Sequence, residues 1–133
     1  MSLKELCDDL EKTAQNVYEN GVALDEAEKL AAVYLSALLQ ISNEIKKMDL
    51  DARMRKTGIK ALKATVYLDE CAKADKKPTE AMLTALVDSN KYVQGEQDKY
   101  DQAEVEKEAL IRYYDVFNNA HIYFRGVAKG KFE

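Results

Sequence analysis

The 133-residue sequence contains no tryptophan, one histidine, one proline, two cysteines and five glycines. One histidine and two distant cysteines cannot furnish a His/Cys zinc cage, a pair of Glu-x-x-His di-iron motifs or a two-histidine mechanism. Most metallohydrolase classes are thereby set aside. Scarce proline and glycine remove the turn chemistry that a many-stranded fold requires. No stretch approaches the roughly 18 to 20 apolar residues that span a bilayer. Met1–Leu10 is acidic and lacks the continuous apolar run of a secretory signal. A cytoplasmic protein without membrane contact is expected, with Cys7 and Cys71 as reduced, half-buried thiols. There is no Gly-rich phosphate loop, Ser/His/Asp set or Cys-x-x-Cys pair, and nothing calls for a cofactor or a metal.

What the sequence does have is helical periodicity. Ser2 and Glu5 fit a capping box, and Leu3, Leu6, Leu10, Ala14 and Val17 follow at alternating three and four spacing until Gly21. Asp25 and Glu28 repeat the capping signature ahead of a second stripe, Ala27, Leu30, Tyr34, Ala37, Ile41, Ile45 and Met48. That stripe keeps its phase through Ala52, Ile59, Leu62 and Val66, with Arg55 as a polar interruption. One helix to about Ala74 is predicted, with Asp49, Asp51 and Gly58 as the places where it can break. Pro78 marks a loop, Thr79 caps a short helix, and the residues Asp88, Ser89 and Asn90 end it. A last stripe runs Val93, Glu96, Tyr100, Ala103, Lys107, Leu110, Tyr114, Phe117, His121 and Phe124 and is closed by Gly126.

The predicted fold is all-α. It is an elongated, coiled-coil-like hairpin of two long helices with shorter flanking helices, in a single domain over residues 1–133. Its segments are an acidic first helix (1–21), a long helix (25–74), a short helix (79–88), a long last helix (90–125) and a frayed tail (126–133). Two helices of this length leave apolar stripe unburied, and self-association is the natural remedy.

Few side chains carry chemistry. His121 lies on the stripe between Phe117 and Phe124 without a nucleophile beside it, which favours a packed, hydrogen-bonded histidine over a general base. Asp101, Glu104 and Glu108 share a helix face but have no second acidic helix opposite them, which favours a solvated face over a metal site. Charge is segregated. Residues 1–43 carry a net −5, residues 44–63 a net +4 and residues 64–133 a net −3. Within the basic island, Arg53, Lys56, Lys60 and Lys63 each follow an inward position by one residue, with Lys46 one heptad before Arg53. They therefore form a cationic row about 100° round the helix from the seam, suited to the phosphates of a single strand. Tyr67, Tyr113, Tyr114 and Tyr123 are candidate base-stacking residues, although helix tyrosines more commonly form core or rim.

The layout resembles the UvsY-type phage recombination mediators. The likeness lies in an acidic first helix, a long helix carrying Ile45, Lys46, Lys47 and then Ala61, Leu62, Lys63, Ala64, and a late helix ending in Tyr123, Phe124, Arg125, Gly126. It covers roughly residues 24 to 130. Lys63 matches the lysine of the family's basic pair, and Thr65 stands where the family has arginine. The resemblance implies a non-enzymatic, homo-oligomeric protein of a phage-infected cell that binds single-stranded DNA. Such a protein helps load a RecA-like recombinase onto strands coated with single-strand-binding protein. The DNA contacts read from the cationic row are Lys46, Arg53, Lys56, Lys60 and Lys63, of which Lys63 matches the family's basic pair. The alternative is a helical assembly or interaction protein without nucleic-acid contact, its basic row paired with an acidic face such as Asp101, Glu104 and Glu108 of a neighbouring copy.

Overall fold

A computed structural model describes residues 2–130. Among them are four helices and no strand: α1 (Leu3–Asn20), α2 (Leu24–Lys73), α3 (Glu80–Ser89) and α4 (Lys91–Ala128). The all-α expectation holds, with two long helices packed against each other. Ser2 closes the predicted capping box, its hydroxyl accepting from the Glu5 N–H while Glu5 accepts from the Ser2 N–H. α2 is unbroken over 50 residues, about 75 Å. Asp25 does not cap it. The Ala27 N–H donates to the Ala23 carbonyl, so the helix starts earlier and Asp25 lies in the first turn, where its charge meets the helix dipole. Gly58 sits in open space within α2. Its cost of about 1 kcal/mol in a helix is offset by the burial of Ala52 and Ile59 on either side.

The chain forms two compact units, one made of the segments up to Lys46 and from Lys107 onward, the other of Lys47–Glu106. In the first, α1 and the adjoining parts of α2 and α4 bury Leu10, Val17, Ile41, Phe117 and Phe124 around Tyr34. The Tyr34 ring lies edge-on to Phe117 and stacked on Phe124, with both centroids 5.4 Å away. Its hydroxyl donates to the Leu10 carbonyl at 2.5 Å. Burial pushes the phenol pKa up to about 12. Alanines at 27, 31 and 37 on α2 and at 14 and 120 on its neighbours are also buried. Small residues there let the aromatic side chains fill the space between helices.

α4 continues past Gly126, the expected stop, to Ala128. Val127 is buried in the core, and that burial outweighs the penalty of a helical glycine. The left-handed residue is Gly130, at φ 76°, whose N–H donates to the Val127 carbonyl. Positions 131–133 of the expected frayed tail lie outside the described residues. Cys7 is fully buried on the inner face of α1 and Cys71 is exposed on α2, so neither thiol is half-buried as expected. Both are free. Burial, followed by the charges of Asp8 and Glu11, raises the Cys7 thiol pKa.

The second unit has a smaller core in which Val66, Val87 and Val93 meet, flanked by Leu62 and Tyr67. Thr79 caps α3, its hydroxyl accepting from the Met82 N–H. Asn90 joins α3 to α4 alone. Its N–H donates to the Val87 carbonyl, while its side-chain oxygen accepts from the N–H groups of Tyr92 and Val93. Large apolar side chains remain exposed in each unit, among them Leu35, Leu39 and Ile122 in the first and Leu50, Met54 and Leu68 in the second. No helix among the described residues is long and apolar enough to cross a membrane.

Candidate nucleic-acid interface

In the second unit, α2 turns Ala52, Ile59 and Val66 inward. With 3.6 residues per turn, the residue after each inward position is rotated by 100°. Arg53, Lys56 and Lys60 are accordingly exposed. Lys63 is half-buried, its stem lining clefts that residues of α3 and α4 border.

Lys56, Lys60 and Lys63 line one cleft of about 180 Å³ with Ile59, and α4 closes it with Gln97 and Tyr100. No carboxylate is in that lining. The adjoining cleft shares Lys63 and Gln97 but is bounded by Asp88 and Asp98. Lys63 is therefore the lysine of the row that also borders carboxylates, in a cleft that Lys56 and Lys60 do not line. Among the described residues, no ion pair engages Arg53, Lys56, Lys60 or Lys63. Arg55, the polar interruption of the α2 seam, approaches Glu96, a polar position of the α4 seam, at 3.9 Å. Glu96 also holds Lys99 at 3.3 Å. Both partners of the Arg55 pair are well exposed, so the contact contributes less than about 1 kcal/mol.

The structure does not bring all five predicted cations to one place. Lys56, Lys60 and Lys63 share the cleft, while Arg53 lies on the same row outside its lining. Lys46 is exposed on α2 and belongs to the other unit.

All four candidate base-stacking tyrosines are engaged elsewhere. Tyr67 donates to Glu80 at 2.8 Å, a bond that raises its pKa. Tyr113 donates to Asp8 at 2.8 Å, which with burial holds its pKa up at about 12. Tyr123 packs on Tyr18 and Phe124, and Tyr114 packs against the core of the first unit. Tyr100 was not singled out by the sequence, because its stripe position marks it only as a seam residue. Its signal is the cross-helix register that sets it beside Lys56 and Lys60.

His121 packs as expected. Its Nδ1 lies 2.9 Å from the Ala31 carbonyl, and since a carbonyl only accepts, Nδ1 carries the proton. On the acidic face, Asp101 accepts from the Gln97 amide at 3.0 Å. Among the described residues, no group of three or more His, Cys, Asp or Glu is arranged to hold a metal ion.

The chemical capacity of the lysine cleft is anion binding. Three flexible ammonium groups offer point-charge contacts to phosphate oxygens, without the planar, bidentate geometry of arginine. Such contacts follow a backbone without reading sequence. Comparison of the chain with protein-family models, with curated proteins and with solved structures finds no match.

Proposed function

We propose that this protein is a non-enzymatic recombination mediator. It binds single-stranded DNA through Arg53, Lys56, Lys60 and Lys63 and helps load a RecA-like recombinase onto strands coated with single-strand-binding protein. The observation that carries the DNA-binding reading is the cleft lined by three lysines and no carboxylate. The mediator role rests on the resemblance to UvsY-type proteins. Homo-oligomerisation is supported by the exposed apolar side chains of each unit. It would repeat a weak site and convert modest phosphate contacts into avid binding by effective concentration.

The test is a salt titration of a labelled single strand by fluorescence anisotropy. Each phosphate neutralised on a single strand contributes a slope of about −0.7 in log affinity against log salt, so the three lysines with or without Arg53 give about −2 to −3 per subunit. Lys56→Glu with Lys60→Glu, both exposed, abolishes binding at moderate salt while the circular dichroism spectrum stays native. Lys63→Glu is a poorer probe, because its new charge would face Asp88 and Asp98. Unchanged affinity in the double variant refutes the assignment. The exposed apolar residues also favour a second reading, an assembly protein without nucleic-acid contact. That protein would show a multimeric solution mass and no binding to the strand even at low salt.

A further inference from the structure

We infer that Tyr100 is a base-stacking platform, so that the lysine cleft receives one nucleotide unit with its phosphate on Lys56 and Lys60 and its base on the phenol ring. The inference rests on the DNA-binding reading above and adds to it a residue from the other long helix and a base contact.

Three observations lead there. Tyr100 lines the cleft that Lys56, Lys60 and Lys63 line from the opposite helix. It is half-buried, so its ring is anchored at one edge and reachable at the other. Among the described tyrosines it alone has no hydrogen bond, no aromatic or cationic partner and no place in a core cluster. Tyr18, Tyr34, Tyr113 and Tyr123 make ring contacts, Tyr67 bonds Glu80, Tyr92 lies under Lys91, and Tyr114 packs on the first core. An uncommitted phenol beside a cationic row is the combination that holds single strands without sequence preference, one group taking the backbone and the other the π-face of any base. Gln97, whose side-chain amide donates a hydrogen bond to Asp101, also lines the cleft. The cleft, of about 180 Å³, is smaller than a whole nucleotide, so it takes the contacted edge of one unit while the rest of the strand lies outside.

The experiment compares oligo-dT with an abasic deoxyribose-phosphate strand of equal length and label, using the full chain. Wild type binds oligo-dT more tightly than the abasic strand. Tyr100→Leu, which fills the seam but cannot stack, lowers affinity for oligo-dT roughly five-fold or more, the loss of one stacked base. It leaves the salt slope as it was, since no phosphate contact is removed, and it brings the two strands to similar affinity. Tyr100→Phe keeps the ring and binds as wild type does, but it removes part of the tyrosine emission that oligo-dT quenches. That arm preserves the test if the leucine variant folds poorly. Equal wild-type affinity for the two strands, or a quenching amplitude unchanged in Tyr100→Phe, overturns the inference and leaves backbone binding standing. Failure of the wild type to bind either strand overturns both.

Discussion

Removing the hydroxyl of Tyr34 tests how the first core is held. Tyr34 is fully buried, and its two aromatic neighbours and its bond to the Leu10 carbonyl are separable contributions. Tyr34→Phe keeps both ring contacts and deletes one buried hydrogen bond. The Leu10 carbonyl lies within α1, where its helical partner still satisfies it, so the cost is the net value of one bond, about 1 kcal/mol. At this chain length that corresponds to a fall in Tm of roughly 4 °C. Tyr34→Ala opens a cavity between Phe117 and Phe124 and costs about 4 kcal/mol, with the ring interactions lost as well. Urea denaturation followed by far-ultraviolet circular dichroism measures both. A phenylalanine variant as unstable as the alanine variant would refute the ring-centred account, and one as stable as wild type would assign the 2.5 Å bond no net value.

The same side chain gives a signed pH effect. Tyr34 and Tyr113 are both raised from 10 to about 12 in the folded protein, so between those values the native state keeps protons that the unfolded chain has released. Their contribution is complete below about pH 10 and is lost as the pH rises through 12. For buried Tyr34 the shift corresponds to between about 2 and 3 kcal/mol. Tyr34→Phe flattens this alkaline limb and leaves the part due to Tyr113.

Gly58→Ala is expected to stabilise the protein by about 1 kcal/mol, since the glycine is helical and an added methyl meets nothing within 4 Å; a lower urea midpoint would contradict this. Ser2→Ala removes a complete capping box and costs about 1 kcal/mol, read as a lower melting temperature. Arg55→Met changes stability by less than about 0.5 kcal/mol, because its contact with Glu96 is long and exposed; a larger loss in thermal melts would show that this seam pair matters more than its geometry implies.

The helices were legible because burial imposes a repeat on the sequence. Ala27, Tyr34, Ala37, Ile41, Ala52, Ile59 and Val66 of one sequence stripe are all buried on one continuous helix, while Leu30, Ile45, Met48 and Leu62 of the same stripe are half-buried. Glycine was the weaker guide. Gly58 and Gly126 both looked like places to bend or stop, but the burial of neighbouring residues overrode their local preference in each case. The candidate site was legible only along its own helix. Periodicity put Lys56, Lys60 and Lys63 in a row, but it carries no information on what faces them across α4. Gln97 and Tyr100 beside the lysines, Asp88 and Asp98 beyond Lys63, and the bond that occupies Tyr67 all depend on pairing between elements distant in sequence.

Asn90 serves as the end of α3 and the start of α4 at once. A helix end with its own cap can fray without disturbing its neighbour, but here the side chain securing the first turn of α4 belongs to the residue whose backbone finishes α3. Opening of either terminus loosens the other. The amides of Tyr92 and Val93 would therefore exchange with solvent hydrogen in step with the last turn of α3, making this junction a single cooperative element of local unfolding.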